Sequence, residues 1–260
     1  MIKQYAIPMN EVTDDFVRCW KSAGQHLQSR IEHGALNFFR ANLTPPFLEH
    51  LSFRLGNQIF FIHVTDDEGH LDKPSTVEAT LTASEMGKGI PCLIVMQRTM
   101  SGWQPKHSGW GLTHAVTGET VSPLDLVSDE LIEMSDWELQ DFAIQIVRDH
   151  LEKEGCKVSS TASDPNIDPQ IWFEGTDGGF HYAVVRGVRY PETEANLPPN
   201  IEGIVDYCKQ KTDSGYFGSV RVANANEPFD PAGGGVPLWR GHQLMVGFDG
   251  LIPLERQKIQ

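Results

Sequence analysis

The chain has 260 residues, 40% hydrophobic and 22% charged, which supplies enough apolar surface for two cores and excludes both a disordered chain and a mini-protein stapled by disulfides. Its 35 acidic against 21 basic residues leave a net charge of −14, and this disfavours nucleic acid as a partner, because so acidic a chain repels a phosphate backbone unless its cations gather on one face. No apolar run approaches the roughly 18 residues of a membrane span, so no membrane association is expected.

In chain order, Thr13 is placed to cap a helix with Asp14 and Asp15 in its first turn and Phe16, Trp20, Ala23, Leu27 and Ile31 at helical spacing, closed by Gly34. Ala35 to Arg40 reads as a short strand. Leu51 to Leu55 and Gln58 to Thr65 read as a hairpin turned at Gly56-Asn57. Asp66-Asp67-Glu68-Gly69 reads as a solvated turn, since it lacks the acid spacing and distal Glu of a calcium loop. Ser75 to Met86 is a second helix, Ile90 to Gln97 a buried strand and Trp110 to Val116 a further strand. The segment from Ser101 to Trp110, with its two tryptophans and His107, reads as a loop that lids a core edge, with a ligand surface as the alternative.

A second series follows. Ser135 and Glu138 spell a capping box ahead of the apolar stripe Leu139, Phe142, Ala143, Ile146, Val147 and Leu151, and Gly155 ends the helix. Cys156 to Ser160 is a strand candidate, and Ile171 to Glu174 with Phe180 to Arg189 forms a hairpin across Thr176 to Gly179. Asn200 to Lys211 is a helix, Tyr216 to Ala223 a strand, and Leu238 to Phe248 with Leu251 to Leu254 the last strand or pair. The Gly/Pro-rich stretch between them, Asn224 to Gly235, holds Gly233-Gly234-Gly235 but no following Lys-Ser/Thr, so it is no phosphate loop.

The two series are collinear. Glu11-Val12-Thr13-Asp14 lies over Glu133-Met134-Ser135-Asp136, Pro45 over Pro165, and Leu51-Ser52-Phe53 over Ile171-Trp172-Phe173, with Trp110 over Trp239 and Pro123-Leu124 over Pro253-Leu254. The drift in spacing fits loop insertions, which cost little, whereas the order of packed elements does not drift. The expected fold is mixed α/β (α+β): two tandem helix-strand-strand-strand-helix-strand units, 1–128 and 129–260, each a mixed sheet flanked by helices.

That element order resembles the core of the PD-(D/E)XK nuclease-like superfamily, in two tandem degenerate copies. The resemblance implies an acid at the start of the middle strand and an acid-x-lysine on the next strand, converging on Mg²⁺ and a scissile phosphate. Asp168, just before Ile171-Trp172-Phe173, stands where the first acid belongs. On the next strand Arg186 or Gly187 replaces the second acid. The first copy has Leu48 opposite Asp168 and Phe61-Ile62-His63-Val64 in place of acid and lysine.

Two functions follow from this pattern. One is a non-catalytic binding or regulatory protein that keeps the degenerate nuclease-like frame as an interaction scaffold and needs no cofactor. The other is a metal-dependent phosphodiesterase or nuclease in which Asp168 holds Mg²⁺ with Glu174 or Asp177. In either case the polar positions place the site in the second unit and make the first mainly structural. Asp168, Arg186 and Arg189 are expected to border one concavity with His181 nearby, and Glu174 completes the binding candidates.

On a regular strand Arg186 and Arg189 point to opposite faces, so only one of them shares a cleft with Asp168 unless Gly187 bulges. Arg186, Arg189, Arg221 and Arg240 either converge to bind an anion or acidic peptide or pair with the chain's own carboxylates. The acids Asp129, Glu130, Glu133, Asp136, Glu138 and Asp141 are read as a solvated helix start or as a docking surface for a basic protein partner. The partner's identity and the oligomeric state are not legible. Met1 to Tyr5 lead into no apolar run of signal-peptide length, and Cys19, Cys92, Cys156 and Cys208 form no C-x-x-C pair. These features point to reduced thiols and to the cytoplasm.

Overall fold

The computed structural model describes residues 12–31, 37–40, 51–71, 76–162, 167–230 and 232–254. Pro45, Leu48 and Pro165 lie outside the described residues. The chain divides into two compact units, Met1–Glu130 and Leu131–Gln260. Among the described residues no helix is long and apolar enough to cross a membrane.

The first unit contains α1 (Asp14–Gln28), β1 (Asn37–Arg40), β2 (Leu51–Leu55), β3 (Gln58–Asp66), α2 (Val77–Met86) and β4 (Ile90–Thr99). It continues with β5 (Gly102–Pro105), β6 (Leu112–His114), β7 (Thr120–Val121) and α3 (Pro123–Leu126). Its sheet runs β1-β2-β3-β4-β6-β7, with β5 also pairing β4. β3 and β4 are parallel and the other pairs antiparallel. The Thr13 Oγ1 accepts the Phe16 N–H at 3.2 Å and so fixes the start of α1. Phe16, Cys19, Trp20, Ala23 and Leu27 of α1 are buried against Phe60, Ile62 and Val64 of β3. Phe61 points to the other face, where Gly87 and Gly89 at the end of α2 leave room for its ring: a Cβ at either would lie 2.5 Å from it. β3 is therefore covered on both faces, which is why it reads as a continuous apolar run instead of an alternation.

The second unit contains α4 (Asp136–Lys153), β8 (Lys157–Thr161), β9 (Ile171–Glu174), β10 (Phe180–Arg189), α5 (Ile201–Cys208), β11 (Gly215–Asn224), β12 (Leu244–Phe248) and β13 (Ile252–Pro253). Its sheet runs β12-β11-β10-β9-β8, with β13 also on β11. β10 and β11 are parallel, and β8-β9, β9-β10, β11-β12 and β11-β13 are antiparallel. Ala183 and Val185 of β10 join the core under α4, while Tyr182 and Val184 join the core with Ile204 and Cys208 of α5. Both halves of the capping box are made: Ser135 Oγ accepts Glu138 N–H at 3.2 Å and Glu138 Oε2 accepts Ser135 N–H at 2.8 Å. Replacing Ser135 by alanine is expected to cost about 1 kcal/mol, read as a lowered urea midpoint of the second unit.

The two units share one plan: helix, three antiparallel strands, helix, and a fourth strand parallel to the third. The likeness reaches single side chains. Leu51 pairs Ile62 and Ile171 pairs Ala183, so Phe61 and Tyr182 occupy the same position, each with its ring against glycine. Several expected bounds need correction: the strand expected over Trp110 to Val116 is Leu112–His114, and that expected over Leu238 to Phe248 is Leu244–Phe248. The 101–110 stretch is not all loop, because Gly102–Pro105 pairs with Met96–Thr99 as β5. The second helix of the second unit is shorter than 200–211, spanning Ile201–Cys208.

Candidate functional site

The site is built where β9 stops accompanying β10. Their ladder ends at Ile171 opposite Ala183, which among the described residues leaves the outward N–H and C=O groups of Val185 and Gly187 without a strand partner. Two glutamines take the strand's place. Gln170 Oε1 accepts Val185 N–H at 2.8 Å, Gln140 Nε2 donates to Val185 O at 2.8 Å, and Gln140 Oε1 accepts Gly187 N–H at 3.2 Å. Buried backbone groups need such partners, and here side chains from α4 and from the turn before β9 supply them.

Gln170 also fixes Asp168, its Nε2 donating to Asp168 Oδ1 at 2.7 Å and to Ile167 O at 2.7 Å. Arg186 closes on the same carboxylate, Nη1 to Oδ1 at 2.9 Å and Nη2 to Oδ2 at 2.8 Å, with Nη1 also donating to Val185 O at 2.8 Å. This is a bidentate fork on a pair whose side chains are 21% and 11% exposed, a geometry stronger than a point-charge contact. Asp168 thus accepts three hydrogen bonds, and a fixed cation of the chain stands beside it.

The other predicted site residues lie elsewhere. β10 runs against β11 without a register shift from Tyr182 to Arg189, so Gly187 makes no bulge and the two arginines diverge. Arg189 points to the α4 face, donating to Met134 O at 2.7 Å and pairing with Asp136. The expected common concavity of Asp168, Arg186 and Arg189 is therefore corrected to Asp168 and Arg186 alone. His181 faces the α4 side with Phe173 and Tyr216. Glu174 ends β9 at the far side from Asp168, about 10 Å of strand beyond Ile171, and Asp177 lies in the turn after it. Neither converges on Asp168. Among the described residues no group of three His, Cys, Asp or Glu side chains could hold a metal ion.

Arg186, Arg189, Arg221 and Arg240 all pair with carboxylates of this unit. Besides the pairs above, Arg221 Nη2 donates to Asp249 Oδ1 at 3.2 Å and Arg240 Nη2 to Glu138 Oε2 at 2.7 Å. The Arg240–Glu138 pair is 1% and 0% exposed, and Arg240 Nε adds bonds of 3.0 and 2.9 Å to the two Glu138 oxygens. The acidic segment is accordingly split. Asp129, Glu130, Glu133 and Asp136 are exposed, whereas Glu138 and Asp141 are buried. Sequence reasoning missed Gln140, Gln170 and the role of Arg240, and a polar residue inside an otherwise apolar helix stripe was the available signal for Gln140.

A protein-family model described as a domain of unknown function (DUF8840) matches residues 137–254. That span covers nearly all of the second unit, from the first turn of α4 to the end of β13, and includes Asp168, Arg186 and Arg240. No curated protein and no solved structure matches the chain.

Described residues of the Asn224 to Gly235 stretch hydrogen-bond to one another and to Val236 and Pro237. Glu227, buried, accepts Phe229 N–H at 3.1 Å and also the Val236 N–H, and Asn224 Nδ2 donates to Pro237 O at 3.0 Å. Phe229 meets Tyr190, just past the end of β10, edge to face with ring centroids 5.1 Å apart.

Proposed function

We propose that the protein is a binding or regulatory protein, non-catalytic at its nuclease-like centre, in which the second unit serves as an interaction scaffold and the first is mainly structural support. The observation that carries this reading is the Arg186 fork on Asp168. A hard divalent ion needs several oxygen ligands, and here the one acid at the resembled position is already neutralised by a guanidinium that binds both its oxygens. The partner that fits is a protein with a basic face, because the chain carries a net charge of −14 and presents Asp129, Glu130 and Glu133 to solvent. Four cysteines without a disulfide suit the cytoplasm.

Calorimetric titration with Mn²⁺ and Mg²⁺ tests the reading. No heat that depends on Asp168 is expected from the intact chain, and Arg186→Gln is expected to leave the trace flat, since one freed carboxylate is a poor site. Stoichiometric binding that Asp168→Ala abolishes would overturn the proposal in favour of a metal-dependent phosphodiesterase.

A further inference from the structure

Away from Asp168, three side chains form an ordered hydrogen-bonded row at the start of the parallel strand pair. Ser214 Oγ lies 2.7 Å from His181 Nδ1, and His181 Nε2 lies 3.2 Å from Asp177 Oδ1. The proton positions follow from the acid. Asp177 is ionised, its carboxyl held below the ordinary range first by the Gly179 N–H and then by His181, so it only accepts. In the neutral imidazole Nε2 must then carry the proton, which leaves Nδ1 as the acceptor and makes Ser214 the donor of its hydroxyl proton.

The imidazole is packed on several sides. Phe173 and Tyr216 flank the imidazole at 5.3 and 5.8 Å. Gly175 and Gly179 leave space for Nε2, where an added Cβ would come within 2.6 and 3.1 Å. Ser214 itself is tied down by Tyr182 N–H on its carbonyl at 3.2 Å and by its own N–H on Thr212 Oγ1 at 3.1 Å. It is partly exposed, and the Asp177 side chain is 70% exposed, so the row opens to solvent.

We propose that Ser214 is a nucleophile activated by His181, with Asp177 as a positioning residue, and that it takes up an acyl group from a small activated ester. Ser214 Oγ attacks the carbonyl carbon and forms the Oγ–C bond while its proton passes to Nδ1. The C–O bond to the leaving group breaks, and the proton on Nδ1 goes to the departing alkoxide. The product is an acyl-serine, a covalent modification beside the binding scaffold and independent of Asp168.

The test uses the full chain and a fluorophosphonate probe, which phosphonylates histidine-activated serines with release of fluoride. Peptide mass spectrometry is expected to find the adduct on Ser214 well ahead of other serines, and Ser214→Ala to remove it. His181→Ala is expected to slow labelling by about 100-fold, with added imidazole restoring part of the rate, a rescue that a purely structural histidine would not show. Asp177→Asn is expected to give a smaller loss at unchanged thermal stability. Failure of Ser214 in the intact chain to label faster than other serines, or labelling of His181→Ala at the intact rate, would overturn the proposal.

Discussion

Replacing Arg240 by alanine is expected to lower the stability of the second unit by about 3–5 kcal/mol, the range for stripping one partner from a buried ion pair. The cost lies in what remains. Glu138 is 0% exposed and sits in the first turn of α4, where its Oε2 must also serve the Ser135 N–H. Without the guanidinium its charge stays buried with one backbone donor and the helix dipole for compensation, and neither replaces a cation that binds both oxygens. Glu138→Gln in the Arg240→Ala background should recover much of the loss, because it removes the charge and keeps the cap. Hydrogen exchange resolved along the chain is the suitable readout: α4 and β10 amides should lose protection while β3 amides keep theirs. A loss below 1 kcal/mol would mean that water reaches Glu138, and the pair would then count as a surface contact.

That ion pair also marks the limit of what the residue pattern discloses. Glu138 is legible as half of a capping box, because its partner Ser135 is three residues away and the motif is local. Its other partner lies 102 residues on, and nothing in local spacing joins them. The same division runs through the fold. α1, α4 and the 171–174/180–189 hairpin are legible since caps, helical periodicity and a Gly-rich turn each act over a few residues. β5 is not, because Gly102 and Pro105 carry loop chemistry, and the short strand exists only through pairing with the end of β4.

The site follows this rule as well. Parity along β10 is enough to separate Arg186 from Arg189, as the odd step between them demands and the unshifted β10-β11 register preserves. The choice of Arg186 as the partner of Asp168 needs the turn before β9 in three dimensions. So do the two glutamines, whose amides read as ordinary surface chemistry until the missing strand neighbour of Val185 and Gly187 is seen. The element order that recurs in the two units is legible where no site is, because collinear order survives insertion while single contacts do not.

Gly215→Ala is expected to be the most damaging small substitution in the second unit, costing about 3 kcal/mol as an overpacked core position. Gly215 faces Tyr182 across the parallel ladder, and the tyrosine ring lies over it: an added Cβ would come within 2.3 Å of both Cζ and Oη. The ring has nowhere to retreat, being 1% exposed with Trp172 at 5.6 Å in a cluster with Cys208 and Phe217. The same burial pushes the Tyr182 hydroxyl up to about 12. Gly247→Ala is the control. Its Cβ would approach Arg221 Nε at 2.2 Å, yet that side chain is 42% exposed and can swing into solvent, giving up only a surface pair with Asp249. Urea midpoints of the two variants should therefore separate clearly despite similar nominal overlaps. Tyr182→Leu should relieve the Gly215→Ala penalty in a double-mutant cycle, since the two changes act on one contact. Equal midpoints for Gly215→Ala and Gly247→Ala would show that the ring moves aside, and that the aromatic-over-glycine contact common to both units is permissive packing.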